Sequence, residues 1–363
     1  MSKEDASAAP LAGPADFARR LIDWQRRCGR RGLPWQLERD PYRVWLSEVM
    51  LQQTQVATVL SYYPRFVQRF PSLQALAQAS VDEVLALWSG LGYYSRARHL
   101  LLCAQQVLAQ HGGVFPRSAQ QLQTLPGIGP SSAAAIAAFC YGERVSILDG
   151  NVRRVAARQL AFDANLAQAA NQRLLGQLVQ ALLPEQPTHD DMIAYTQGLM
   201  DLGATVCLRR RPLCSLCPVQ DGCRAQADGN AASYPVKAAP RPRRYEHWWL
   251  LLLRLRSATA TCIWLERRAA PGIWAGLYCP PVFGSEAALR AALAPVLHHG
   301  LHPLEPRAHS LTHRELTLHP VLLDLGASAC APPTGAGQWV GAPALSAHGL
   351  PAPVRRMLAH VLG

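Results

Sequence analysis

Apolar and polar residues along the first two thirds of the chain follow the period of amphipathic helices. Between Phe17 and Ala227, apolar positions recur every three to four residues and are broken by prolines and glycines, a spacing that predicts helices. Two capping boxes support this prediction: Ser80 is followed by Glu83, and Thr188 is followed by Asp191. The sequence therefore predicts an all-α region.

The last third has a different pattern. Short β-type runs, WWLLLLRLR, TCIWLE and ELTLHPVLLDL, lie between glycine and proline clusters, and a helix is predicted from Ser285 to Leu297. A Pro-, Ala- and Arg-rich stretch before these runs predicts an exposed connector. The predicted organisation is a disordered N-terminus (1–15), an all-α domain (16–227), a linker (228–245) and a small α+β domain (246–363).

Composition adds four expectations. Apolar runs such as Trp248 to Leu253 are far shorter than the ~20 residues that a membrane-spanning helix needs, so no membrane span is expected. Residues 1–15 lack a signal-peptide pattern, so we expect a cytoplasmic protein. The formal net charge of +12 favours a polyanionic partner such as nucleic acid. The ten cysteines, without an export signal, favour a metal site or free thiols over disulfides.

Four of the cysteines are concentrated in one short segment. Cys207, Cys214, Cys217 and Cys223 have the spacing C-x6-C-x2-C-x5-C. Four neighbouring thiolates can hold one metal centre. Structural zinc and an iron–sulfur cluster both use four cysteines, and the spacing alone does not separate them.

A glycine-rich turn is predicted to join two helices near the middle of the chain. Gly127 and Gly129 lie in the sequence LPGIGPSSA, directly before a helix that contains Ser131. Glycines allow a close approach of the backbone, and free amides at a helix N-terminus bind phosphate. The segment is therefore either a DNA-backbone site or an ordinary helix–turn–helix corner.

Two carboxyl groups have contrasting predicted environments. Glu48 lies among apolar neighbours on a helix, where desolvation would raise its pKa and make it a general acid. The alternative is a glutamate at the rim that turns to solvent. Asp149 precedes Gly150 and a helix, so it is a candidate N-cap that can also face a cleft. Such a pair suits cleavage of a glycosidic bond.

Amides and aromatic rings accompany the candidate acid. Gln53 follows it closely, and Tyr93 and Tyr94 follow a Gly-Leu-Gly turn. Beside a duplex, such groups can fill the stack that an extruded base leaves. A solvated amide face and two core tyrosines are the alternative interpretation.

Together these segments resemble the helix-hairpin-helix glycosylase superfamily, and within it the MutY-type adenine glycosylases. LSEVMLQQTQV, GLGYYSRARHL, LPGIGPSSA, ILDGNVRRV and the four-cysteine array occur in that family's order. The resemblance implies a 4Fe–4S cluster at the four cysteines. It also implies a monomeric enzyme that binds double-stranded DNA and hydrolyses the bond between adenine and deoxyribose where adenine lies opposite 8-oxoguanine or G.

The resemblance also implies roles for individual residues. Glu48 would protonate the adenine ring, and Asp149 would stabilise the sugar cation. Asn151 and Ser131 would line the same pocket. The further positions that the resemblance assigns to DNA or base binding are Gln53, Tyr93, Tyr94, Gly127, Gly129, Arg31, Asp201, Thr312 and His313.

Strand cleavage is not expected. Ser131 occupies the position where the family's lyase relatives, similar to endonuclease III, have a Schiff-base lysine, and the nearby Arg153 is a poor imine former. The C-terminal region resembles the family's MutT-like domain, with Leu311-Thr312-His313 in the loop that touches 8-oxoguanine. Its glutamates Glu286, Glu305 and Glu315 are too scattered for a pyrophosphatase site. The competing hypotheses are a bifunctional glycosylase/lyase and a non-catalytic cluster-containing lesion binder.

Overall fold

The structure is a computed structural model that describes residues 14–236, 242–256, 260–325 and 336–362. Nearly all of the predicted N-terminal tail and part of the predicted linker, 237–241, lie outside these residues. The α-helices are α1 (Pro14–Cys28), α2 (Pro41–Leu51), α3 (Val56–Arg69), α4 (Leu73–Ala77), α5 (Val81–Trp88), α6 (Ser95–His111), α7 (Ala119–Leu122), α8 (Pro130–Tyr141), α9 (Gly150–Gln159), α10 (Ala169–Gln180), α11 (His189–Thr205), α12 (Arg224–Ala227), α13 (Glu286–Ala291) and α14 (Ala352–Leu362). The strands are β1 (Arg244–Arg256), β2 (Thr261–Arg267), β3 (Tyr278–Cys279), β4 (Val282–Phe283), β5 (Leu301–Pro303), β6 (Arg307–Ser310), β7 (Arg314–Leu325) and β8 (Gly337–Gly341).

The chain divides into two compact units that are not continuous in sequence. The first unit comprises Met1–Gln74 and Leu102–Ala239, and the second comprises Ala75–Leu101 and Pro240–Gly363. The sequence placed one boundary in a single linker between 227 and 246. The structure differs because residues 75–101, although helical, group with the C-terminal sheet.

The first unit is built around α8 and α11. The alanines of α8 are buried, and their small side chains allow neighbouring helices to approach closely. Helix α11 packs against α1, α8 and α9, while α2 packs against α8.

Both predicted capping boxes are present, at Ser80 before α5 and at Thr188 before α11. Within residues 14–236 every described regular element is helical, which confirms the all-α prediction.

The second unit contains a mixed sheet with the strand order β3-β2-β1-β7-β5. Strands β1 and β7 run parallel over twelve residue pairs, and β2 pairs with β1 in the antiparallel direction. Leu251, Leu253 and Leu323 project from the long strands into a core that Leu289 of α13 also enters. This arrangement confirms the predicted α+β class.

The helix predicted over Ser285–Leu297 is shorter in the structure. Helix α13 ends at Ala291, and a 3₁₀ segment, Pro295–Gly300, follows. Ala294 is extended because the proline after it disfavours the α conformation. Among the described residues, no helix is long and apolar enough to cross a membrane.

Candidate functional site

Glu48 lies in the last turn of α2, in the wall of a cavity of the first unit. Burial is the main reason that its pKa is raised to about 8, and the negative charge of Asp149 raises it further. A carboxyl in this state is protonated near neutral pH and can donate its proton. The cavity is lined by Arg30, Leu33, Trp35, Gln36, Arg39, Val44, Ser47, Glu48, Leu51, Val56, Phe139, Gln197 and Met200.

A buried ion pair fixes one side of this cavity. Asp201 of α11 is fully buried and accepts hydrogen bonds from Arg30 Nε at 2.7 Å and from the Arg30 backbone N–H at 2.9 Å. Gln197 donates to the same carboxylate at 2.9 Å. Asp201 does not line the cavity itself, but it orients two side chains that do, those of Arg30 and Gln197. The family resemblance also assigned Arg31 to DNA or base binding. Arg31 is exposed and is not among the residues that line this cavity.

Asp149 is the N-cap of α9, as the sequence predicted. Its carboxylate accepts the Val152 N–H at 2.7 Å, and it lies at the positive end of the helix dipole. Asn151, in the first turn, accepts a hydrogen bond from Arg154 Nη2 at 3.0 Å. Arg154 in turn donates through Nε to the Cys207 carbonyl at 2.9 Å. Helix α9 thus connects the aspartate to the cysteine segment.

The glycine turn and α8 border a separate groove. Gly127 has φ +75°, a conformation that favours glycine, and Gly129 is the N-cap of α8. Ser131 Oγ accepts the Leu148 N–H at 3.1 Å. The side chains that line this groove include Gln52, Gln123, Ser131, Arg153, Gln172, Arg173, Gln177 and Gln180.

The resemblance assigns Ser131, Asn151 and Asp149 to one pocket with Glu48. None of these three is among the residues that line the Glu48 cavity. The hydrogen bond from Leu148 holds Ser131 at the groove wall, and the bond from Arg154 holds Asn151 on α9. Gln53 is exposed with φ +56°, because the chain turns sharply after α2.

The four cysteines of the array line one cavity. Cys207 follows α11, Cys214 opens a 3₁₀ turn that Cys217 directly follows, and Cys223 directly follows the next 3₁₀ turn. Burial raises the pKa of Cys217 to about 12 and also raises that of Cys223. Within the described part of the chain, no three His, Cys, Asp or Glu side chains are arranged to hold a single metal ion.

Comparison with known proteins gives the relationship of this chain. Residues 46–180 match the family described as HhH-GPD superfamily base excision DNA repair protein, and residues 252–360 match the NUDIX domain family. A protein named adenine DNA glycosylase from Buchnera aphidicola subsp. Baizongia pistaciae is 31% identical over 352 residues, covering 95% of this chain and 96% of the relative. The chain belongs to the adenine DNA glycosylase family. The enzyme is accordingly a DNA N-glycosylase.

Two further comparisons, one with a human relative and one with a solved structure, agree with the assignment of this chain to a DNA glycosylase family. The human protein named adenine DNA glycosylase is 37% identical and covers 84% of this chain and 64% of its own length. A solved structure titled as a thermostable thymine-DNA glycosylase aligns with a TM-score of 0.53 at 25% identity, covering 59% of this chain and 97% of the other. The shared fold is therefore the helical one.

The second unit of the glycosylase contains its own candidate contact site. The Tyr93 hydroxyl lies 3.3 Å from Thr312 Oγ1, and Tyr93 adopts φ +47°. Tyr94 donates to the Leu350 carbonyl at 3.1 Å. The cavity beside these residues is lined by Gly92, Tyr93, Tyr94, Ser95, Arg98, Arg243, Gly272, Ile273, Trp274, Ala275, His309, Ser310, Leu311, Thr312 and Ala352. His313 is not among them. Its ring is exposed, and its carbonyl accepts the Arg244 N–H at 3.1 Å in the turn between β6 and β7.

Sequence reasoning missed several residues of the glycosylase site. Arg30, Trp35 and Gln197 line the Glu48 cavity although no motif singled them out. Gln197 could have been found, because it precedes Asp201 by one helical turn. Trp35 lies in a 3₁₀ turn with no periodic pattern, so only the tertiary fold identifies it.

Proposed function

We propose that this glycosylase removes adenine that is mispaired with 8-oxoguanine or G in duplex DNA, and that it does so by hydrolysis. The observation that carries the proposal is the pairing of two carboxyl groups in opposite environments. Glu48 is desolvated beside a cavity, and Asp149 is hydrogen-bonded at the start of α9. Cleavage of an N-glycosidic bond needs an acid at the leaving group and a negative charge at the sugar.

The proposed mechanism begins with an adenine turned out of the duplex, since its sugar bond is not accessible within the stack. Glu48 delivers its proton to the adenine ring at N7, so the base leaves as a neutral molecule. Asp149 stabilises the positive charge that develops on deoxyribose until water adds. Arg30 and Gln197, oriented by Asp201, would contact the base in the cavity.

We infer hydrolysis without strand cleavage from the residues at the positions where the lyase relatives have an amine. A lyase needs a neutral amine that attacks the sugar and forms a Schiff base. Ser131 has no amine, and Arg153, whose guanidinium donates to the Leu148 carbonyl at 3.1 Å, is a poor imine former. The product should therefore be an intact strand with an abasic site.

We assign the DNA contacts to two regions. The backbone amides at Gly127, Gly129 and the start of α8 would hold phosphates without reading sequence. Tyr93 and Thr312 of the second unit would contact the base opposite the adenine. The relatives include bacterial proteins, and because the proposed substrate is genomic DNA, we expect this enzyme to act in the cytoplasm as a monomer.

The cofactor that we propose is a 4Fe–4S cluster bound by Cys207, Cys214, Cys217 and Cys223. When bound, it supplies a cross-link between these four positions and a one-electron redox centre. Its contribution to base removal is indirect, since Arg154 connects the Cys207 backbone to Asn151 on the helix that Asp149 caps.

The test is a single-turnover assay on duplexes with adenine opposite 8-oxoguanine, G or T, analysed with and without alkali. We expect adenine release opposite 8-oxoguanine and G, with strand breaks only after alkali. Strand breaks without alkali would overturn the hydrolytic assignment, and binding without any base release would favour the lesion-binder hypothesis.

A matched pair of variants sharpens this test. Ser131→Lys introduces the amine that the lyase relatives have at this position, so borohydride should trap a covalent complex. Ser131→Arg adds a positive charge without a usable amine and should not be trapped. Strong trapping of the unmodified enzyme would contradict the proposal.

The role of Thr312 is tested separately. Thr312→Ala removes the hydroxyl that lies beside Tyr93, and we expect the rate preference for 8-oxoguanine over G to fall several-fold. Ser346→Ala is the control, because Ser346 is an exposed hydroxyl residue that does not line this cavity. Substitution is preferable to deletion of residues 246–363, because residues 75–101 belong to the same structural unit.

A further inference from the structure

Arg158, near the end of α9, is a buried cation with unusual partners. Its side chain is 2% exposed, and all three guanidinium nitrogens donate hydrogen bonds. The acceptors are Ala231 O at 2.8 Å, Tyr234 O at 3.2 Å, Cys207 Sγ at 3.2 Å, Leu208 O at 2.8 Å and Arg209 O at 3.2 Å. They are four carbonyl oxygens and one sulfur, and none of them is a carboxylate.

A second buried arginine, Arg254, has a carboxylate partner, whereas none of the described hydrogen-bond acceptors of Arg158 is a carboxylate. Arg254, which is 8% exposed, binds both carboxylate oxygens of Asp324 through Nε at 2.6 Å and Nη2 at 2.7 Å. A buried charge is costly unless an opposite charge compensates it. Carbonyl dipoles satisfy the hydrogen bonds of Arg158 but carry no net charge. Among the described hydrogen-bond partners of Arg158, the group that can carry a negative charge is the Cys207 thiol.

We propose that Arg158 is a positioning residue whose counter-ion is the thiolate-ligated cluster. The inference rests on the cofactor assignment made above. Cys207 Sγ receives the guanidinium hydrogen bond, Cys223 Sγ lies 3.5 Å from the Arg158 carbonyl oxygen, and Arg158 lines the same cavity as the four cysteines. One side chain thus contacts the segment 207–209 and the segment 231–234 on either side of the array.

Two measurable properties follow from this geometry. Hydrogen bonds to cysteine sulfur and nearby positive charge stabilise the more negative, reduced state of an iron–sulfur cluster, so they raise its reduction potential. The five hydrogen bonds also hold the two segments together, which should slow iron loss. Arg158 would therefore set both the potential and the retention of the cluster.

The test compares full-length Arg158→Met, Arg158→Lys and Arg210→Met with the unmodified enzyme. Arg210 is an exposed arginine of the same segment, so its replacement removes one charge without touching the cavity. We measure iron and sulfide content, the midpoint potential without DNA, and the rate of iron release to a chelator. The midpoint potential of the cluster in the methionine variant should be ~59 mV lower than in the unmodified enzyme. For a one-electron couple this shift corresponds to a tenfold change in the ratio of oxidised to reduced cluster at a fixed potential. Its iron release should be about tenfold faster.

The lysine variant keeps the charge but loses the forked donor geometry, so both properties should lie between those of the methionine variant and the unmodified enzyme. If the methionine variant purifies without iron, the lysine variant decides the question. Potentials and release rates equal to those of Arg210→Met in both Arg158 variants would overturn the proposal. Absence of iron and sulfide from the unmodified enzyme would instead refute the cofactor assignment, and this inference with it.

Discussion

Glu48 and Asp149 have the same functional group, and the fold places them in opposite surroundings. Glu48 stands in a cavity wall with apolar, amide and arginine side chains, and burial raises its pKa to about 8. Asp149 stands at the start of a helix, where a backbone amide donates to it at 2.7 Å. The first environment favours a neutral acid and the second supports negative charge. Position in the fold, rather than residue type, is the basis of the different roles that we propose for the two carboxyls.

The strongest test of this division is Glu48→Gln. The amide keeps the shape of the side chain but cannot deliver a proton, and we expect single-turnover adenine release to fall by ~10²–10⁴-fold with mismatch binding retained. Glu38→Gln is the control, because Glu38 is exposed and pairs with Arg43 outside the cavity. Release within a few-fold of the unmodified rate would remove Glu48 from the acid role.

The second test separates the charge of Asp149 from its capping function. Asparagine is a good N-cap, so Asp149→Asn should preserve stability while adenine release falls by ~10²–10³-fold, as for loss of one electrostatic stabiliser. Asp149→Ala should show the same kinetic loss and a further stability loss of about 1 kcal/mol. Equal activity of the asparagine variant and the unmodified enzyme would restrict Asp149 to capping.

The third test is the pH dependence of the rate. Glu48 acts as an acid only while it is protonated, so the single-turnover rate should fall as the pH rises through about 8, roughly tenfold for each further pH unit. In Glu48→Gln this inflection should disappear. A profile that stays flat to pH 9.5 in the unmodified enzyme would contradict the raised pKa.

The smallest expected effect is on stability. The pKa of Glu48 is about 8 in the folded state, against an ordinary value of 4.5 for a glutamate. The folded state therefore binds the extra proton and loses stability as the pH rises between these values. Glu48→Gln should therefore raise Tm more at pH 9 than at pH 5, by ~2–4 °C for each kcal/mol gained. Thermal unfolding at both pH values, with Glu38→Gln as control, measures the difference. An equal Tm change at the two pH values would show that Glu48 titrates normally.

Local patterns determined much of this protein. The helical region, the capping boxes, the N-cap role of Asp149 and the main strands were all predictable, because periodicity and capping depend on neighbouring residues. The raised pKa of Glu48 was also predictable, since its apolar neighbours lie one helical turn away. The end of α13 shows the limit, because one proline shortened an otherwise helical pattern.

Only the tertiary structure decided which distant residues meet. It brings Arg30, not Arg31, onto Asp201 across 171 positions of sequence, because the turn at Gly32 (φ +77°) exposes the second arginine. It assigns residues 75–101 to the unit of the C-terminal sheet and sets Tyr93 beside Thr312. It also buries Arg158 beside the cysteine segment, where the guanidinium donates to Cys207 Sγ. Such contacts depend on how helices pack, and packing has no signature in the local sequence.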